Sequence, residues 1–504
     1  MDIDSGLPAS PPPADPMGPV SLGKRFVRGA AWSLAGTVAA QGLALLASVV
    51  VARLLGREEF GRFDVVNGTV LMLGVFAGMG FGLTATKFVA QCRTSDPERA
   101  GRILGLSLAF TAVGGGVAAL LLVLFARPLA GQVLNAPALE LPLRLAAALL
   151  FFTALGGMLN GALAGFEAFR AVAGVNVLRG VLIFPLMLAC AWQWGLPGAV
   201  LAQTLTSLAW CAAAGAALNR HRRPYGIRVR CRGLRVELPV LWSYSFPALL
   251  GGVLVTPFLW LASALLANRP GGYSDLGLLG AANQWRNVLM LLPTIFTNVT
   301  LPIIASGLET EGSPDTERVM EISQGLAILS VVPAVVALVF GSDLILRCYG
   351  RDFTGGVPLF ALMTAGVGIA GIGNAGNAAI QAHGRMWMAV LMNLSWSAVY
   401  MAVVVALVGP WGGLALASGF LAAYAVLVAW GYFYIHRSGL VSRGMLNRTL
   451  GASAFLVAVT VPSAFIPTDW RLILLVPVLA VAVALSYKVW IDPGLREKIR
   501  ERFR

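Results

Sequence analysis

Residues 172–238 show most clearly the pattern that predicts the fold, and they read VAGVNVLRGVLIFPLMLACAWQWGLPGAVLAQTLTSLAWCAAAGAALNRHRRPYGIRVRCRGLRVEL. Two apolar runs, 172–193 and 196–219, stand on either side of a tight W-G-L-P-G turn, and a basic segment follows the second run. Each run is long enough to cross about 30 Å of hydrocarbon as an α-helix. The stretch therefore predicts a pair of membrane-spanning helices that ends in a basic loop.

The rest of the chain repeats this pattern. Of its residues, 58% are hydrophobic and 12% are charged, whereas a soluble domain carries about 25% charged residues. This composition excludes a soluble enzyme, a disordered protein and a secreted disulfide scaffold. The continuous apolar runs also disfavour a β-barrel, whose strands alternate. We predict an all-α polytopic membrane protein with about fourteen transmembrane helices, at 29–55, 64–91, 101–126, 141–164, 172–193, 196–219, 239–268, 278–304, 321–346, 357–382, 386–408, 412–435, 447–466 and 470–491.

Basic residues divide unequally between the two sides of these predicted helices. With the N-terminus inside, 27 of the 37 Lys and Arg residues fall in inner loops and tails, and 9 fall in outer loops. Positive charge accumulates on the cytoplasmic side of membrane proteins. We therefore predict that both termini and the loop 219–238 are cytoplasmic.

The two halves of the chain share matched residues. At a fixed offset, Asn160 corresponds to Asn377, and the dipeptide Trp194-Gly195 corresponds to Trp411-Gly412. Six predicted spans separate the copies, so the repeats would run parallel, as in transporters whose halves are related by an axis along the membrane normal. We predict two six-helix lobes around a central cavity and two extra C-terminal helices. The predicted divisions are a disordered tail at 1–23, an N-terminal lobe at 24–219, a basic linker at 220–238, a C-terminal lobe at 239–436, and two helices with a basic tail at 437–504.

Metal, cofactor and nucleic-acid sites are not indicated. The five cysteines and three histidines show no C-x-x-C pair and no metal-ligand spacing, so we predict neither a metal nor a cofactor. The loop 219–238 lacks the interleaved aromatic residues that stack on bases. We interpret it as a segment held against anionic membrane lipids, and we predict no nucleic-acid partner.

Polar side chains inside a predicted span are costly and indicate functional positions. In the span 278–304, Asn283, Arg286, Asn287 and Asn298 lie within an arc of about 100°. This arc should face a cavity or partner helices, although Arg286 could instead extend to the outer headgroups. We predict that the arc contacts substrate and that Arg286 supplies an anion-binding charge.

Five further residues complete the predicted substrate-binding set. Asn374, Asn377 and Gln381 follow each other at spacings of three and four in the span 357–382, where hydrogen bonding between helices is an equally good explanation. Lys87 and Arg179 lie toward the cytoplasmic ends of their spans. They could bind a substrate phosphate or serve as ordinary positive-inside anchors.

Carboxylates are missing from the middle of every predicted span. Asp64, Glu167, Asp343 and Asp352 are all expected at helix ends or in loops. A proton- or sodium-coupled pump normally needs such a group within the membrane, so no coupling site is predicted. The same absence, together with short outer loops, argues against a membrane glycosyltransferase or glycan polymerase. No catalytic residue is predicted.

Several short motifs lie around the first two predicted spans. They are R-G-A-A-W at 28–32, A-R-L-L-G at 52–56, E-F-G-R-F at 59–63, G-F-G at 80–82, T-K-F-V-A at 86–90 and R-A-G at 99–101. In these motifs the chain resembles the polysaccharide transporter, or oligosaccharide flippase, branch of the multidrug/oligosaccharidyl-lipid/polysaccharide exporter superfamily. The resemblance is most specific over 24–105 and continues more weakly to residue 435.

The resemblance implies a transporter and not an enzyme, with a central cavity that opens alternately to either face. It further implies the export of a polyprenyl-pyrophosphate-linked oligosaccharide across the bacterial inner membrane, for surface polysaccharides such as lipopolysaccharide. A glycan polymerase or glycosyltransferases of the same pathway would be its partners. A cation-coupled multidrug exporter and a lipid II flippase of the same superfamily are the alternatives. The first predicted helix lacks the carboxylate that many multidrug members carry there.

Overall fold

The protein is a bundle of long α-helices in the computed structural model, which describes residues 22–78, 80–230, 237–238, 253–307, 314–382, 386–439 and 441–490. Among these residues there is no β-strand, and the all-α membrane fold is confirmed. The helices are α1 (Leu22–Gly78), α2 (Phe81–Cys92), α3 (Pro97–Pro128), α4 (Glu140–Gly165), α5 (Phe169–Arg222), α6 (Thr256–Ala267), α7 (Gly272–Gly307), α8 (Pro314–Phe340), α9 (Ser342–Tyr349), α10 (Val357–Ala382), α11 (Met386–Trp411), α12 (Gly413–Arg437), α13 (Arg443–Ser463) and α14 (Thr468–Leu485).

Glycines reverse the chain at one face of the bundle. Gly56 divides α1 into two arms (φ 78°, ψ 171°), and Gly195 does the same in α5 (φ 59°, ψ −135°). Gly412, between α11 and α12, has nearly the conformation of Gly195 (φ 53°, ψ −126°). Residues with a Cβ rarely adopt these values, which explains the glycine at each reversal. We call this side the kink face, and the opposite side, with the turns at 93–96 and 223–230, the basic face.

The predicted spans correspond to the observed helices with two corrections. Ten helical segments among the described residues are long and apolar enough to cross a membrane, and the segment Phe169–Tyr225 contains both arms of α5. The predicted span 321–346 is in fact two helices, since α8 ends at Phe340 and α9 begins after Gly341. The predicted span 64–91 is interrupted before α2, where Gly80 is left-handed (φ 70°). A continuous apolar run hides such breaks because hydropathy reports burial in lipid and not backbone conformation.

Some predicted features fall outside the described residues. These are nearly all of the tail 1–23, the linker residues 231–236, the first part of the span 239–268, and the C-terminal tail from residue 491. The proposed repeat and the lobe boundaries stay predictions.

The outside of the bundle suits lipid. Val113, Leu124 and Val405 are each more than 60% exposed, which would be unfavourable over a large surface in water. Exposed tryptophans such as Trp192 and Trp411 lie near the kink face, where membrane proteins carry an aromatic belt. The chain is therefore a multi-pass membrane protein.

The helices pack in two groups that meet along α1 and α7. In the first group α1 packs on α5, α4 on α5 and α3 on α4, while in the second α10 packs on α7 and α12, and α11 on α12. The second arm of α1 provides the contact with α7 across the groups. The site described below lies beside this contact.

The described part of the basic linker is held by the protein itself. The amide of Arg230 donates to the carbonyl of Gly101 (3.2 Å), and a Cβ on Gly101 would overlap the carbonyl oxygen of Arg228. Further along, the buried carboxylate of Glu237 accepts from Arg99 (3.3 Å) and Arg102 (3.2 Å). The backbone thus lies against α3, while lipid binding by the linker's exposed guanidinium groups stays a prediction.

Candidate substrate cavity

A cavity of about 930 Å³ lies between α1, α2, α4, α5 and α7. This volume is at the upper end of the range for small-molecule sites. Among its described lining residues there is one cation, Arg179, and no carboxylate. The other polar groups are six amides and four hydroxyls, from Gln41, Asn67, Asn176, Gln203, Gln284 and Asn287, and from Ser48, Thr153, Thr206 and Ser207.

Arg179 is held in the cavity wall by an aromatic ring. Its guanidinium carbon lies 4.8 Å from the ring centroid of Trp210, a geometry in which the ring quadrupole attracts the cation. The Trp210 indole N–H donates to Asn176 Oδ1 (3.3 Å), and Asn176 precedes Arg179 by one turn on the same face of α5. Arg179 has no carboxylate partner among the described residues. The cavity therefore contains a positioned positive charge that is not neutralised.

The cavity is closed on the side of the kink face by direct contact between α1 and α7. A Cβ on Gly61 would overlap the carbonyl oxygen of Tyr273 and would lie 2.8 Å from the amide nitrogen of Gly277. Only glycine allows the two backbones to approach this closely. We call this contact, together with the ion pair described next, the seal.

An ion pair completes the seal. Arg57 donates to Asp275 Oδ1 (3.0 Å) and to the carbonyl of Ser274 (2.9 Å). The other carboxylate oxygen, Asp275 Oδ2, accepts from the amide of Gly413 at the start of α12 (2.8 Å). Arg53 Nε donates a further hydrogen bond to the carbonyl of Cys348 (2.6 Å). These contacts join both arms of α1 to α7, α9 and α12 in the C-terminal half of the chain.

Asp64 is not at a helix end, which corrects the expectation from sequence. The second arm of α1 begins directly after Gly56, so Asp64 lies two turns inside it and within the candidate span Ala40–Gly78. The sequence pattern misplaces it because Arg57, Glu58, Glu59 and Arg62 make the start of this arm look like a loop, although all four are helical. Asp64 therefore lies inside a membrane helix and not at its end.

Two of the nine predicted site residues line the cavity, namely Arg179 and Asn287. Asn283 and Arg286 lie outside its described lining, and Arg286 Nη1 donates to Asn283 Oδ1 (3.3 Å). Substrate binding by Arg286 stays a prediction that this geometry does not support.

The other predicted residues are dispersed. Lys87 is exposed on α2, with its ammonium 5.4 Å from the ring centroid of Phe88. Asn377 borders a separate small cavity of about 20 Å³ beside Tyr432, and Asn374 is half-buried on the same helix. The side chains of Asn298 and Gln381 lie outside the described residues.

Sequence reasoning missed most of the amides in the cavity. Gln41, Asn67, Asn176, Gln203 and Gln284 all line it and were not predicted. Each is a polar amide within an apolar run, so the sequence of every one of these helices contained a residue that could have been predicted as functional. The missing information was which helices surround the cavity, and only tertiary packing supplies it.

A polar cavity inside a helical bundle, bordered by a contact between its two groups of helices, is an arrangement suited to a membrane transporter. Solved structures of transporters of the MOP superfamily share this fold. The chain belongs to the polysaccharide biosynthesis protein family, whose model matches residues 26–308.

Individual relatives agree with this assignment. The chain is 25% identical over 419 residues to the EPS I polysaccharide export inner membrane protein EpsE of Ralstonia nicotianae, covering 81% of this chain and 93% of that protein. It is 22% identical over 349 residues to the stage V sporulation protein B of Bacillus subtilis, covering 65% and 67%.

Two solved structures share the fold. The lipid II flippase MurJ in an inward closed conformation matches with a TM-score of 0.69 at 12% identity, over 93% of this chain and 99% of that one. An inward-facing multidrug resistance MATE family transporter matches with a TM-score of 0.65 at 14% identity, over 79% and 95%.

Proposed function

We propose that the protein is a flippase that moves a polyprenyl-pyrophosphate-linked oligosaccharide from the inner to the outer leaflet of the bacterial inner membrane, for surface polysaccharide export. The observation that carries this proposal is the cavity, with one unneutralised Arg179 among six amides and four hydroxyls. A guanidinium binds phosphate oxygens in a bidentate manner. Amides and hydroxyls offer both donors and acceptors to sugar hydroxyls.

The mechanism would be alternating access between two lobes, 24–219 and 239–436. In the present conformation, the seal separates the cavity from the kink face. Breaking the Arg57–Asp275 pair and the Gly61–Gly277 contact would open that face. The basic loops support a cytoplasmic basic face and cytoplasmic termini, and the name of the export protein of Ralstonia supports an inner-membrane location. No bond of the substrate needs to be broken, so the proposed role is not enzymatic.

The charge of the cavity favours this substrate class over cationic drugs. A cationic drug would place a second positive charge near Arg179 with no carboxylate among the described lining residues to offset it, and like charges in a low-dielectric site repel strongly.

Lipid II has the same polyprenyl-pyrophosphate chemistry as the proposed substrate. The experiment must therefore distinguish these two by their glycans.

The test is a deletion strain complemented with variants. We expect the deletion to leave lipid-linked oligosaccharide assembled but stranded on the inner leaflet, and wild-type protein to restore surface glycan. Arg179→Ala should reduce export about 10- to 100-fold, because a hydrogen bond to a charged group contributes about 1.5–3 kcal/mol. Arg179→Lys should recover part of the rate, since it keeps the charge but loses the planar fork.

The control is Arg144→Ala, since Arg144 pairs with Glu140 outside the cavity lining and is half exposed. It should export at the wild-type rate with equal protein level. Loss of resistance to cationic drugs with normal surface glycan would make the protein a multidrug exporter. Accumulation of lipid II would assign it to peptidoglycan synthesis. Arg286→Ala belongs in the same series: if it blocks export and Arg179→Ala does not, the anion is bound at Arg286.

A further inference from the structure

Asp64 occupies the position between the seal and the cavity. On the second arm of α1, Gly61 is in the seal and Asn67 lines the cavity, and Asp64 lies one helical turn from each. On α7, Gly277 is in the seal and Gln284 lines the cavity. Gly280 stands between these two, opposite Asp64. The carboxylate is therefore next to the boundary that a transport cycle has to open and close.

The carboxylate of Asp64 packs directly on the backbone of α7. A Cβ built on Gly280 would lie 3.0 Å from Asp64 Cγ and 3.1 Å from its Oδ1. The side chain is only partly exposed. It makes no hydrogen bond and no ion pair with any residue that the structure describes.

Neighbouring charged groups are engaged elsewhere. On α1, Arg57 binds Asp275 and Arg62 binds Glu58 and Glu59. On α7, the Tyr273 hydroxyl donates to the carbonyl of Leu134, and Arg286 donates to Asn283.

In the described part of the chain, no other helix beside α1 supplies a partner to Asp64. On α3, Arg99 and Arg102 bind Glu237, and on α9, Asp343 binds Arg471. Arg179 of α5 stacks on Trp210, and Glu140 and Arg144 of α4 pair with each other. α6 contains no charged residue between Thr256 and Ala267.

An ionised carboxylate without a partner is costly between two packed helices, and its neutral form is much less so. Opening the seal would separate Gly61 from Gly277 and admit water to Asp64, which removes that cost. Protonation therefore favours the sealed state, and ionisation favours the open state. The two equilibria are linked.

We propose that Asp64 is the proton-binding site that couples closure of the kink face to a proton gradient. With the seal open, a carboxylate oxygen of Asp64 takes a proton from water at the kink face, and the neutral side chain allows the helices to close. With the seal closed, the proton leaves to water in the cavity. One cycle thus moves one proton toward the basic face, opposite to an exported substrate. The proposal concerns the protein alone and does not depend on which substrate it carries.

The test measures the seal directly, without substrate. Full-length protein in lipid nanodiscs, with its native cysteines replaced, is spin-labelled at Ala138→Cys and Arg351→Cys, two exposed positions at the kink face on opposite sides of the seal. Pulsed electron paramagnetic resonance then gives the distance distribution at several pH values. In the wild type, the population with the short, sealed distance should rise as the pH falls, by at most about tenfold per pH unit for a single linked proton.

Variants assign the effect to one carboxylate. Asp64→Asn mimics the protonated form, so its population should be mainly sealed and independent of pH. Asp64→Glu should keep a pH dependence with a changed midpoint. Asp469→Asn, an exposed carboxylate at the kink face outside the seal, should behave as the wild type.

Three results would overturn the proposal. The first is a wild-type distance distribution that does not change with pH. The second is an Asp64→Asn protein that keeps the wild-type pH dependence. The third is a loss of the pH dependence in Asp469→Asn, which would assign it to a carboxylate outside the seal. If Asp64→Asn does not insert into the membrane, an unchanged midpoint in Asp64→Glu overturns the proposal instead.

Discussion

Replacing Arg471 should strongly destabilise the attachment of α14 to the bundle. Its Nη2 lies 3.0 Å from Asp343 Oδ2 on α9, and the two side chains are only 6% and 7% exposed. Asp343 Oδ1 also accepts from the Thr468 hydroxyl (2.9 Å), and Arg471 Nη1 donates to Ser342 Oγ (3.3 Å). The pair is therefore buried and hydrogen-bonded on both sides.

The expected loss of stability follows from the buried groups that each substitution leaves without a partner. Arg471→Met leaves the Asp343 carboxylate buried without its cation, which costs about 3–5 kcal/mol in comparable pairs. The remaining hydrogen bond from Thr468 offsets about 1 kcal/mol of this, so we expect a loss of about 3 kcal/mol. Adding Asp343→Asn removes the unpaired charge and keeps an acceptor for Thr468. The double variant should therefore recover about 2 kcal/mol relative to Arg471→Met.

The assay is unfolding of the purified protein by titration with sodium dodecyl sulfate, followed by tryptophan fluorescence, to which the adjacent Trp470 contributes. Arg144→Met is the matched control, because the Arg144–Glu140 pair is half exposed and should change stability by less than about 0.5 kcal/mol. Arg471→Met losing less than about 1 kcal/mol, or a double variant no more stable than the single one, would refute the reasoning.

Two further predictions concern the basic face. Glu237→Ala should release the linker from α3 and speed tryptic cleavage after Arg228 several-fold in inside-out vesicles; an unchanged rate would mean that Glu237 does not hold the segment. On a cysteine-free background, Tyr225→Cys should react with an impermeant thiol reagent only after the cells are permeabilised, whereas Gly355→Cys at the kink face should react in intact cells. Labelling of Tyr225→Cys in intact cells would reverse the predicted orientation.

The helical membrane fold was predictable because a bilayer of fixed thickness imposes the length of each apolar run. The substrate cavity was less predictable from the sequence than the fold, and α7 shows why. Its polar residues cover a broad arc, and successive residues turn by about 100°. Gln284 lines the cavity, while Arg286, about 200° further round the helix, is absent from its described lining. A sequence identifies the polar arc, but the side of the arc that meets the cavity depends on how neighbouring helices pack.

Contacts between distant residues were beyond the sequence altogether. Trp210 and Asn176 lie 34 positions apart on the two arms of α5, and nothing in the sequence of either arm indicates that they meet. The same is true of Asp64 and Gly280, whose contact changes a residue expected in a loop into a carboxylate between two membrane helices. In both cases the sequence pattern of one helix predicts which of its residues are buried. The residue that each of them contacts depends on how all the helices pack.

The two halves of the chain contribute very unequally to the cavity lining, and this indicates how substrate specificity can change in related proteins. Among its described lining residues, only Gln284, Asn287 and Val288 come from beyond residue 230, and all the others belong to the first half of the chain. Changes of cargo can therefore accumulate in the first half, while the second half keeps the surfaces that open and close against it. A chimaera that joins the first half of a relative to the second half of this protein should inherit the relative's cargo, provided that the glycines facing each other across the seal are kept.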